Sequence, residues 1–138
     1  WYGMFLPTGE KLPAVDAVAY AWSGTWPTNR SPRIEKLTAA FREREVEPGA
    51  RLEVNVTASD ADGDAVRVEW RVVAESTDRR VGGDREAAPP EFPESVIEGD
   101  ERGAILRAPQ KRGGYRVFCI VRDGQGGASA DNFPFFVK

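Results

Sequence analysis

The 138-residue sequence contains no histidine and a single cysteine. Without histidine there is no Ser-His-Asp or Cys-His catalysis, and the commonest zinc ligand is missing. Cys119 has no partner for an internal disulfide. It lies mid-strand between Phe118 and Ile120, where a buried, inert thiol is expected. Long apolar runs are also missing: none approaches the roughly 20 residues of a membrane helix, so no membrane partner is expected. Charge of one sign is scarce as well. The net charge is −3 and the two signs alternate along the chain, leaving no basic patch to track phosphates and no expected nucleic-acid partner. Trp1-Tyr-Gly-Met4 lacks the charged start and apolar run of a signal peptide, so an exported form is expected to be a mature or excised piece.

What is present alternates. Leu52, Val54, Val56 and Ala58 share one face of a strand whose other face carries Arg51, Glu53, Asn55 and Thr57. Val66, Val68, Trp70 and Val72 repeat the pattern against Arg67, Glu69 and Arg71. This period of two predicts an antiparallel sheet with one wet face, and Trp70 is placed to fill the core. Arg33 to Phe41 reads as a first strand with Ile34 as its inward anchor, and Gly103 to Ala108 as a short strand stopped by Pro109. Residues 75 to 101 are rich in charge, glycine and proline and read as one long connection. Tyr115 to Arg122 is apolar on both faces, with Val117, Cys119 and Val121 on one and Phe118 and Ile120 on the other. Both faces therefore need a cover. Asp123-Gly-Gln-Gly-Gly127 turns the chain into a last strand ending Phe133-Pro-Phe-Phe-Val137.

Residues 1–32 differ in character. A turn at Pro7-Thr-Gly9 precedes a helix that Pro13 starts and Gly24 ends, with Val15, Val18, Ala19 and Trp22 at helical spacing. Trp26-Pro-Thr-Asn-Arg-Ser-Pro32 reads as a linker. The helix is the spare apolar object of the chain, and it is expected to cover the Phe118/Ile120 face. The division is thus 1–32, a helical extension and linker, and 33–138, a sandwich.

The stretches Ala58-Ser-Asp-Ala-Asp-Gly-Asp-Ala-Val-Arg-Val-Glu-Trp70 and Gly113-Gly-Tyr-Arg-Val-Phe-Cys-Ile-Val-Arg-Asp-Gly-Gln-Gly-Gly127 resemble those of bacterial immunoglobulin-like modules of the polycystic-kidney-disease (PKD) type. The resemblance implies an all-β, immunoglobulin-like antiparallel sandwich with one N-terminal helix. Tyr2 to Pro32 is similar to the closing strand, helix and Trp-rich linker of a glycoside hydrolase barrel of the family 2-like type. On that likeness the chain is the C-terminal module of a secreted, periplasmic or cell-surface bacterial enzyme. It is expected to be non-catalytic, to bind a polysaccharide or oligosaccharide or to brace the catalytic barrel, and to need no cofactor. The alternative is a calcium-dependent structural or adhesion spacer.

Three groups of residues are candidates for sites. Trp26, Tyr2 and Trp1 lead for carbohydrate, because flat exposed rings stack on sugar faces; Trp22 continues the helical stripe and is expected to pack as core. Asp60, Asp62 and Asp64 alternate in a glycine-containing loop and can offer oxygens to Ca²⁺. Arg71 occupies the position where an EF-hand needs its last acidic ligand, and a turn in which aspartates bond local N–H groups is the preferred reading. Glu75, Asp84, Glu86 and Glu91 supply carboxylates in the long loop, the group type that glycoside hydrolysis uses in pairs. They lie among Arg79, Arg80 and Arg85, where ion pairing is expected instead.

Overall fold

The computed structural model describes residues 3–77 and 88–138. One helix, α1 (Pro13–Ser23), precedes eight strands: β1 (Arg33–Ala39), β2 (Glu45–Val46), β3 (Arg51–Ser59), β4 (Arg67–Ala74), β5 (Val96–Gly99), β6 (Gly103–Arg107), β7 (Gly113–Arg122) and β8 (Ala128–Val137). They form two four-stranded sheets, in the orders β1-β3-β6-β5 and β2-β8-β7-β4. All pairings are antiparallel except the two-residue join of β2 to β8. That order is the immunoglobulin arrangement, in which strands A, B, E and D face strands C, F and G, with a short strand joined to the edge of G. The protein is an immunoglobulin-like β-sandwich with one helix.

The alternation seen in the sequence builds the core. Leu52, Val54 and Val56 of β3 and Leu106 of β6 face Trp70 and Val72 of β4, Val117, Cys119 and Val121 of β7, and Phe133, Phe135 and Val137 of β8. Trp70 is buried, and its indole N–H donates to Asp100 O at 3.3 Å. Tyr115, near the start of β7, packs on Phe135 and donates its hydroxyl to Lys111 O at 2.6 Å. This tyrosine corner pins the chain's entry into β7, a hallmark of the fold that strand periodicity does not announce. Burial pushes the Cys119 thiol up to about 12, with Asp131 adding to the shift, so the group stays neutral and unreactive.

Three readings from the sequence are corrected. The inward anchor of β1 is Leu37, while Ile34 is half-buried. A bulge between Ile34 and Lys36 shifts the register and moves inward positions to the other parity. The stretch from 75 to 101 is not a single connection, because it contains a 3-10 turn over Pro93–Ser95 and the edge strand β5. Helix α1 does not cover Ile120. A tight reversal over Phe5 to Lys11 does so, laying Leu6 and Leu12 on Ile120 and Ala128. Leucine side chains reach this face over a short span, and burying one contributes about 1.5–3 kcal/mol. The only buried side chain of the helix is a carboxylate, Asp16, and Phe118 stays half-buried.

Candidate functional site

The N-terminal segment is held on the sandwich by polar contacts. Lys11 N donates to Gly126 O at 3.0 Å and Ala128 N donates to Lys11 O at 2.9 Å, which adds residue 11 to the edge of β8. Asp16, 4% exposed, pairs with Lys11 and accepts from Ser31 N at 2.6 Å. Burial alone pushes Asp16 upward, but the hydrogen bonds from Lys11 and Ser31 outweigh it and hold the carboxyl below the ordinary aspartate range. Asn29 Nδ2 donates to Asp123 Oδ2 at 3.0 Å. Asp123 is itself buried and also accepts from Gln125 N and Gly127 N, so it organises the β7–β8 turn. The chain is thereby tied to the sandwich before α1, at Lys11, and after it, at Asn29.

The helix ends as its sequence dictates. Pro13 occupies the first turn, and Gly24 takes the left-handed conformation at φ 73° with its N–H on Tyr20 O at 2.8 Å. Ser23 Oγ donates to Ala19 O at 2.8 Å and accepts from Thr25 N at 3.2 Å. This reversal lays Trp26 on Tyr20, with ring centroids 4.5 Å apart and planes 17° from parallel. Pro27 restricts the backbone just beyond. Trp26 is 51% and Tyr20 43% exposed, so the stack is pre-formed yet open to solvent.

Trp22 is not core: it is 87% exposed. Val15, Val18 and Ala19 are half-buried, Asp16 is the one buried side chain of the helix, and of the predicted stripe Trp22 alone stands clear. Of the seven large apolar side chains exposed among the described residues, Met4, Phe5, Tyr20, Trp22 and Trp26 belong to this segment; Ile97 and Phe136 lie elsewhere. Five of the seven thus fall between residues 4 and 26. The sequence singles out Trp26 but not Tyr20, whose role depends on the Gly24 reversal. Trp1 and Tyr2 lie outside the described residues.

Asp60, Asp62 and Asp64 do not converge. Asp60 Oδ1 accepts from Asp62 N at 2.8 Å and from Asp64 N at 3.3 Å, an aspartate turn. Asp62 is engaged by Arg30, through its backbone N–H at 2.6 Å and its guanidinium at 2.9 and 3.0 Å, and those bonds hold its pKa below the ordinary range. Asp60 Oδ2 is buried without a partner, but among the described residues no three acidic, Cys or His side chains are arranged to hold a metal ion. Chelation is therefore expected to leave the melting temperature unchanged. A fall of several degrees on adding chelator, reversed by calcium alone, contradicts the turn reading.

The carboxylates of the long connection are paired where described. Glu75 receives the Arg116 guanidinium at 2.9 and 3.1 Å, and Glu91 lies 3.9 Å from Arg71. Asp84 and Glu86, with Arg79, Arg80 and Arg85, lie outside the described residues. Among the described residues no helix is long and apolar enough to cross a membrane.

Fold and surface together define an immunoglobulin-like β-sandwich carrying a fixed aromatic N-terminal segment. No protein-family model matches the sequence, and no curated protein does. Among solved structures it is similar to a DUF4784 family protein from Bacteroides caccae, with a TM-score of 0.35 and 12% identity. That match covers 70% of this chain and 23% of the other, so the chain spans under a quarter of that protein's length. A likeness of this size carries no argument about function.

Proposed function

We propose that the chain is a non-catalytic accessory module of a secreted or cell-surface polysaccharide-degrading glycoside hydrolase, working through its N-terminal segment to brace the catalytic barrel or bind glycan. One observation carries this reading. Five exposed large apolar side chains, Met4, Phe5, Tyr20, Trp22 and Trp26, lie on a segment that Asp16, Asn29 and Arg30 fix in place. Exposed apolar side chains on a fixed segment suit docking against a neighbouring domain or a glycan, whereas a segment that merely joined two domains would have no need of three polar ties. Pairing of Glu75 with Arg116 and of Glu91 with Arg71 supports the non-catalytic part, since each carboxylate lies against an arginine rather than facing a second carboxylate.

Incubating the pure chain with a panel of polysaccharides tests the reading. No new reducing ends are expected. Turnover that disappears in the Glu75→Gln variant overturns it.

A further inference from the structure

From Ala17 to Asn29 no side chain is charged, although 30% of the whole chain is Asp, Glu, Lys or Arg. This stretch carries the stacked Tyr20–Trp26 pair, and the polar groups nearest the rings in sequence are the hydroxyls of Ser23, Thr25 and Thr28. Ser23 and Thr25 are exposed and hydrogen-bonded to each other's oxygens, Ser23 Oγ lying 3.0 Å from Thr25 O and 3.2 Å from Thr25 Oγ1. Two near-parallel rings held by the Gly24 reversal form a flat apolar step. Neutral hydroxyls line the turn that joins them.

We propose that the Tyr20–Trp26 pair is a stacking platform for an uncharged glycan, with pyranose rings laid on the indole face. A pyranose presents C–H groups to the electron-rich ring face and hydroxyls at its rim. Hydroxyls of Ser23, Thr25 and Thr28 match that rim as donors and acceptors without the desolvation cost of ionised groups. An acidic polysaccharide finds no cation in this stretch to offset its charge. A peptide or nucleic-acid partner would call for charge complementarity that the stretch does not offer. The platform also differs from the Val15–Val18–Trp22 stripe. Residues two apart on a helix do not share a face, so Tyr20 and Trp22 project from different flanks. The inference rests on the accessory-module reading for its ligand class and on the ring geometry for its place.

Native electrophoresis through gels containing one polysaccharide each tests the proposal with the whole chain. The panel pairs neutral polymers (xylan, mixed-linkage β-glucan, galactomannan, starch) with acidic ones (polygalacturonate, alginate). Retardation is expected in at least one neutral gel and in neither acidic gel, and is expected to persist at high salt. Trp26→Ala is expected to weaken it at least tenfold and Tyr20→Ala by less, with Phe136→Ala, an exposed aromatic change on β8, as the unaffected control. Circular dichroism of each variant guards against misfolding, and Trp26→Phe, which keeps a ring, is expected to restore part of the retention. No retardation in any neutral gel overturns the platform, as does retention that survives Trp26→Ala or favours acidic gels. These failures leave the accessory reading intact, because that reading falls only with hydrolytic turnover by the pure chain.

Discussion

Replacing Trp70 by alanine is expected to unfold the sandwich or bring it to the edge of unfolding. The indole sits between the two sheets, in contact with the core that Val54, Leu106 and Val121 build, and its N–H holds the β5–β6 turn through Asp100 O. Truncating a buried tryptophan costs about 3–5 kcal/mol. Domains of this size are stable by only about 5–15 kcal/mol in total. The loss therefore removes from about a fifth of the margin to all of it. Thermal or urea unfolding checks this, with Trp70→Phe expected to lose much less because it keeps most of the apolar volume. A Trp70→Ala chain that melts with the parent contradicts the assignment of Trp70 as the centre of the core.

The second large effect is expected at Asp16. Asp16→Ala removes the carboxylate that receives both Lys11 and Ser31 N; it leaves the Ser31 N–H without its partner and Lys11 with the Asn29 carbonyl alone. Breaking a fully buried pair costs more than this and breaking an exposed pair less. With Lys11 at the rim, about 2–3 kcal/mol is expected. Hydrogen exchange is expected to rise over residues 3–32 well beyond any change in β3 or β7. The carboxyl's folded pKa lies below its unfolded value, so its contribution is complete above the ordinary aspartate range and is lost as pH falls through the depressed value. Asp16→Asn is expected to remove that share of the acid sensitivity. Uniform exchange across the chain in Asp16→Ala, or an acid profile unchanged in Asp16→Asn, contradicts the clamp.

The sandwich was legible because its strands alternate: Leu52, Val54 and Val56 face inward as spaced, and so do Trp70 and Val72. What stayed hidden depends on contacts between distant residues. The bulge after Ile34 shifts parity without any glycine or proline to mark it, and β2 is two residues of edge pairing with no periodicity to read. The doubly apolar character of β7 correctly demands a second cover. The helix is the obvious candidate by hydrophobicity, yet Leu6 and Leu12 take the place because Lys11 joins the β8 edge and carries them over Ile120.

At the candidate site the same division holds. Trp26 stands out in the sequence as an aromatic in a proline-bounded stretch, while its partner Tyr20 is invisible until the left-handed Gly24 folds the chain back. Trp22 fits a helical stripe that reads as core. Val15, Val18 and Ala19 of that stripe are half-buried as spaced, but Trp22, one residue before the end of the helix, lies beyond the reach of the sandwich. The three aspartates of the 60–64 loop look like a cation site by spacing alone. Arg30, thirty-two residues upstream of Asp62 in sequence, claims the middle one.

The central claim is that the clamped N-terminal segment presents the Tyr20–Trp26 pair to a neutral glycan. The most direct measurement is the ratio of neutral-polysaccharide retention between the parent chain and Trp26→Ala, both shown to be folded. The account predicts a ratio of ten or more in at least one neutral gel, and a ratio of one in every gel would contradict it.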